Sequence, residues 1–213
     1  MNSKKVFLAL TASTFISAAA ANAAGIDMND PRRALGREDD VRIDAQLVSD
    51  VVSPGTPIGI TYQIQNLTNA AVAIADKVTD ASYDEDSRTI TVSIGSEVPA
   101  DGAMPRMITI APGEKKILRA AATPAFPATA VRTAFAVVPR YVQVRVTILR
   151  DLAPFLALIE KPSRRRLSDQ LFNQFLENSD TIMLNTLPVS WSPRGALAGV
   201  DAEQRSTSRA RGY

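Results

Sequence analysis

The amino-acid sequence predicts an all-β chain, an antiparallel β-sandwich with a small C-terminal helical appendage. Three observations carry this reading. Between Val41 and Arg150, apolar and polar residues alternate with period two in segment after segment. Pro, Gly, Asn and Asp punctuate those segments at roughly every 8–15 residues, a spacing that leaves no room for crossover helices. After Arg150 the apolar spacing becomes that of a helix.

The elements follow in order. Residues 1–23 read as a secretory signal peptide: Lys4 and Lys5, an apolar stretch from Val6 to Ala20, then the small-x-small site Ala21-Asn22-Ala23. The stretch is too short and too rich in Ala, Ser and Thr for a stable membrane span, which needs about 20 strongly apolar residues. The chain is therefore expected to be exported, to the periplasm first, with the cell surface or medium as alternatives. The two lysines of this segment account for the whole excess of 24 basic over 22 acidic side chains, so the remainder is formally neutral. No global charge draws it to nucleic acid or to an anionic membrane.

Residues 24–40, with Asn29, Asp30, Pro31, Arg32, Arg33 and Arg37, lack apolar periodicity and read as a flexible N-terminal arm. The sandwich is placed at 41–150. Its predicted strands are Val41 to Val48, Ile58 to Gln65, Ala70 to Lys77, Thr89 to Ile94, Met107 to Ile110, Lys115 to Ala121, Val131 to Val138 and Val142 to Leu149. Ser53 to Pro57, Asn66 to Asn69 and Pro112-Gly113 are turns, and Asp80 to Arg88 is a polar bend. An appendage at 151–193 follows. Asp151 to Glu160 forms a buried helix, and Ser163 caps a helix over Arg164 to Glu177. A strand then runs from Thr181 to Leu187, with Trp191 beyond it. Residues 194–213, rich in Gly, Ser, Ala and Arg, read as a disordered tail.

The turn at Pro112-Gly113 and the corner Tyr62-Gln63-Ile64-Gln65-Asn66 resemble those of secreted immunoglobulin-like domains, over residues 41–150. The core tryptophan and cysteines usual in such domains are missing. The stretch Ile110-Ala111-Pro112-Gly113-Glu114-Lys115-Lys116-Ile117-Leu118-Arg119 also looks like the segment that periplasmic pilus-assembly chaperones carry before their subunit-binding strand. That resemblance implies pairing of an exposed sheet edge with an incomplete subunit. Residues 151–193 are too few and too helical for that family's second sandwich.

Composition removes much chemistry. With no cysteine and no histidine, the chain can form no disulfide, no Ser-His-Asp or Cys-His nucleophile and no Cys/His zinc site. No catalytic residue and no cofactor are assigned. The densest set of hard oxygen ligands is Asp80, Asp84, Glu85 and Asp86, either a calcium site or a solvated hairpin bend. Arg164, Arg165 and Arg166 could grip an acidic partner or form an exposed basic turn. Leu167, Leu171 and Phe175 form a stripe at helical spacing that either covers the sandwich or docks a partner. Asn66-Leu67-Thr68 matches a glycosylation sequon, where no glycan is expected because the short, Ala-rich signal suggests a bacterial source.

The expected function is that of a non-catalytic exported protein acting through contacts with another exported protein, at a free sheet edge or at the appendage. An assembly chaperone for secreted or pilus subunits is the alternative. A carboxylate-dependent hydrolase is the third reading, though no pair of acids is flanked by sugar-stacking aromatics.

Overall fold

The computed structural model describes residues 25–76, 79–95, 102–126, 137–162 and 166–193. It is built of strands, with two short helices, as the period-two segments require. One sheet has the order β1 (Arg33–Glu38), β2 (Val41–Leu47), β4 (Ile58–Asn66), β9 (Lys115–Ala122), every pair antiparallel. The other has the order β6 (Thr79–Asp84), β7 (Thr89–Ile94), β10 (Tyr141–Leu149), β5 (Val72–Ala75), β8 (Met107–Ile110). Strands β11 (Ser179–Met183) and β12 (Leu187–Pro188) also pair with β10. A small parallel pair joins β3 (Val51–Val52) to β13 (Ser190–Trp191).

Alternation places every other side chain of β2, β4, β7 and β10 in one buried cluster shared by the two sheets. Ile43, Ile60, Ile64, Ile90, Val92, Val144 and Ile148 are among its members. Strand β10 is buried on both faces at its end, from Val146 to Leu149, while Tyr141 at its start is exposed. Its Leu149, with Ala73 of β5, faces a second cluster formed by Met104, Leu152, Phe155, Leu167 and Phe175. The appendage is thus a lid on the outer face of the second sheet.

Several expectations are corrected. The segment read as a flexible arm contains β1, which turns through Asp39 (φ 46°) into an antiparallel hairpin with β2. Its interior contribution is small, with Ala34 buried. It is held instead by Arg33, whose guanidinium meets the Asp44 carboxylate, itself only 2% exposed and also bound by Arg42 Nε at 3.0 Å. Asn185 closes its outer edge, donating from its backbone to the Leu35 carbonyl (3.1 Å) and accepting the Leu35 N–H on Oδ1 (2.6 Å). Gly36 allows this approach, since a Cβ there would lie 3.0 Å from the Ile182 and Leu184 side chains.

The sheets are not wholly antiparallel: β7 and β10 run parallel, Tyr141 to Val146 beside Thr89 to Ile94. Half of the supposed polar bend is β6, because Ala81 and Tyr83 point inward between exposed Asp80, Ser82 and Asp84. The helix read from Arg164 begins later, at Asp169–Glu177, capped by Ser168, whose hydroxyl accepts the Leu171 N–H at 3.3 Å. The helix read over Asp151 to Glu160 is a 3-10 turn, Ala153–Phe155, followed by Leu156–Glu160. The strand read at Thr181 to Leu187 is split between β11 and β12. The signal peptide, the tail, Ser163 and most of the strand read at Val131 to Val138 lie outside the described residues.

One side chain joins the two sheets at the end that turns into β9. Asn66 is 0% exposed. Its Nδ2 donates to the carbonyls of Ala70 (2.8 Å) and Ile110 (3.0 Å), and its Oδ1 accepts from the Thr68 amide (3.0 Å) and hydroxyl (2.7 Å). Its backbone donates to the Glu114 carbonyl (3.1 Å) and accepts from Gly113 (2.7 Å). Replacing Asn66 by Ala strands the buried Ile110 carbonyl and the Thr68 amide, while the Ala70 carbonyl keeps the Thr68 hydroxyl (2.7 Å), at about 1–3 kcal/mol per buried unsatisfied group. Urea unfolding of Asn66→Ala should show a loss of about 3 kcal/mol at unchanged slope. A loss under about 1 kcal/mol would show that water replaces the side chain.

Candidate functional site

Strand β9 begins after the Pro112-Gly113 turn, where Gly113 takes φ +76° and the Glu114 N–H closes on the Ala111 carbonyl (3.0 Å). The Glu114 carboxylate accepts the Ala111 N–H (2.7 Å) and pairs with Lys116 Nζ (3.1 Å), contacts that hold its pKa below the ordinary glutamate value. Lys116 Nζ also donates to the Thr109 carbonyl at 2.6 Å, covering that stretch of β8.

The bonding direction of β9 follows from β4. Gly59 presents its carbonyl to Val48, continuing β2, whereas Asn66 presents its N–H to Glu114. In an antiparallel ladder successive residues alternate in direction. Ile58, Ile60, Tyr62 and Ile64 therefore bond to Ala122, Ala120, Leu118 and Lys116, their register partners. The N–H and C=O groups of Lys115, Ile117, Arg119 and Ala121 point away from the sheet. The Ala121 carbonyl accepts from Thr79 Oγ1 of β6 at 2.8 Å. Among the described residues, nothing meets the outward backbone groups of Ile117 and Arg119. This is an open edge.

The side chains on either side of that edge differ. Leu118 and Ala120 face the core but are only half-buried, as are Ala81 and Tyr83 on β6, while the inward residues of β2, β7 and β10 are sealed. The core reaches the surface along the seam between β9 and β6. Tyr83, Phe126 and Trp191 line it in edge-to-face contacts, with centroids 5.4 Å and 5.0 Å apart. On the outer face stand Lys115, Ile117 (38% exposed) and Arg119. Arg119 borders a recess of about 180 Å³ shared with Arg32, Gln46 and Thr61. Arg32 is held by Asp30 at 2.5 Å, and hydrogen bonding to Arg32 keeps that carboxyl far below its usual pKa. Lys115 and Arg119 have no carboxylate partner among the described residues.

The residues singled out in the sequence fall elsewhere. Leu167 and Phe175 are buried, Phe175 only 1% exposed and edge-to-face on Phe155 at 5.9 Å, and Leu171 packs beside them. Leu167 and Phe175 are taken up in covering the sheet, while Leu171 stays partly exposed beside them. Arg166 forms an isolated bridge with Ala103, while Arg164 and Arg165 lie outside the described residues. Asp80 and Asp84 are separated along β6 by about 13 Å at strand spacing. Asp84 is engaged locally by the Asp86 amide (3.1 Å) and the Ser87 hydroxyl (2.6 Å), with Glu85 and Asp86 in the exposed turn. Among the described residues no group of three or more carboxylates is placed to hold a metal ion. Nor is any helix there long and apolar enough to cross a membrane. The sequence signal for the edge was the basic run itself, because edge strands are often marked by lysine.

No family model, curated protein or solved structure matches the chain.

The alternation on β9 is directly measurable. In amide exchange followed by NMR, Lys116, Leu118 and Ala120 should be protected, and Ile117 and Arg119 should exchange at least roughly a hundredfold faster. Uniform protection along β9 would mean that the edge is covered.

Proposed function

We propose that this chain is an exported, non-catalytic, immunoglobulin-like interaction module that takes an extended segment of another exported protein as an added strand along β9. The observation that carries the reading is the open edge: unpaired backbone groups at Ile117 and Arg119, beside a seam where Leu118, Ala120, Ala81 and Tyr83 remain half-buried. Strand addition supplies both missing parts at once, hydrogen bonds to the edge and apolar cover to the seam. Export rests on the signal-like residues 1–23, and the non-catalytic assignment on a chain without histidine or cysteine.

The chaperone alternative shares this surface, since the stretch Ile110 to Arg119 that resembles that family forms the end of β8, the turn and most of β9. It differs in the occupant, which would be an unfinished subunit and not a mature partner.

The test is the complex isolated by a tag from the cell envelope of the producing cells. Proline at position 117 removes an outward N–H that bonds to nothing within the sheet, so the β4–β9 ladder survives it. Ile117→Pro should lower recovery of the partner about tenfold or more while thermal unfolding stays within a few degrees, and partner binding to the unmodified chain should protect the Ile117 and Arg119 amides. Recovery of the unmodified chain alone as a clean monomer, or equal partner recovery with the proline variant, would overturn the proposal.

A further inference from the structure

We infer, resting on the reading of β9 as a strand-accepting edge, that the accepted segment is acidic at two positions four residues apart and uncharged between them. A strand added to β9 sets its residues opposite those of β9, with alternate side chains on the two faces. The residues opposite Lys115, Ile117 and Arg119 join the exposed outer face, and those opposite Lys116 and Leu118 join the seam. Directly opposed Cβ atoms lie about 4.5–5.5 Å apart, within reach of an ion pair. Lys115 and Arg119 offer cations that no carboxylate of the described residues engages, so a carboxylate opposite each completes a pair.

Between the two acids the demand is apolar. Leu118 is half-buried and Ile117 is 38% exposed, so residues opposite them bury surface that is now wet. Lys116 already has its ammonium engaged by Glu114 and the Thr109 carbonyl, leaving its stem to face the newcomer. An uncharged residue fits there. In antiparallel order the segment reads acid, apolar, apolar, uncharged, acid.

The same charges exclude a second copy of this edge. Antiparallel pairing of β9 with itself about Ile117 would oppose Lys115 to Arg119 twice, and like charges directly opposite are destabilising. Self-pairing is resisted where an acidic strand is welcomed.

The probes are two labelled synthetic peptides, one with the core Glu-Val-Val-Ser-Glu and one with Lys-Val-Val-Ser-Lys, titrated by fluorescence anisotropy against the signal-free chain. The glutamate peptide should bind about tenfold or more tightly than the lysine peptide at low salt, and the gap should narrow at about 0.5 M salt. The double variant Lys115→Glu, Arg119→Glu should reverse the preference. Equal binding of both peptides, lost on Ile117→Pro, would overturn the charge pattern and leave strand addition standing. Glutamate-peptide binding that survives Ile117→Pro would be surface adhesion and overturn both. Failure of both peptides also overturns the pattern, and the native-complex experiment then decides strand addition by itself.

Discussion

The structure turns on the buried amide of Asn66. Taking an unsatisfied amide out of water costs several kcal/mol, so a fully enclosed Asn persists only where each polar atom is met. Here they are met by Ala70 and Thr68 in the following turn, by Ile110 at the end of β8, and by Gly113 and Glu114 where β9 starts. One residue thus fixes where the chain leaves one sheet and enters the other. It also fixes the register of β9 against β4. A slip by one residue would exchange Lys116 and Leu118 for Lys115 and Ile117 on the core face, placing different side chains at the edge. The sequon at Asn66 is chemically spent for the same reason: a glycan on Nδ2 would displace its bonds to two carbonyls from a site with no room.

Strand β10 performs the complementary task in the second sheet. Val142, Val144, Val146 and Ile148 fill the shared core, while Leu149 on its other face supports the appendage cluster. The end of β10, buried on both faces, needs cover on both, and the two helices after Arg150 supply it at Leu149. Their apolar stripe is consumed in that cover. The open edge belongs to the other sheet, on β9, with the seam beside it.

Legibility in the sequence follows the source of each element's stability. Strands β2, β4, β7 and β10 bury a side chain at every second position, nearly all of them Ile, Val, Leu or Tyr, and that pattern is visible along the chain. Strand β1 buries Ala34 and little else; it stays in place through Arg33 on Asp44 of the next strand and through Asn185, 150 residues from Leu35. No local pattern reports such contacts. Leu171 and Phe175 were legible as a helix face, whereas Leu167 lies before the Ser168 cap, and periodicity says that a face is apolar and not what lies against it. Edge position is topological too. The alternation of β9 was readable, whereas its lack of a second neighbour depends on how the sheets are ordered.

An unpaired strand edge is a hazard, and the other edges show how this chain handles it. The Leu35 backbone on β1 is bonded on its outer side by Asn185, the Thr109 carbonyl of β8 is met by Lys116, and β12 carries Pro188. Those devices are indifferent to the identity of an approaching strand. Strand β9 has no proline, and among the described residues a neighbour bonds its outer side only at Ala121, near one end. Its protection consists of Lys115 and Arg119, and protection by charge discriminates: it repels a strand of like charge and attracts one of opposite charge. On the strand-addition proposal, an edge guarded by charge alone repels a second copy of itself and accepts an acidic strand, so one pair of side chains, Lys115 and Arg119, serves for both exclusion and selection.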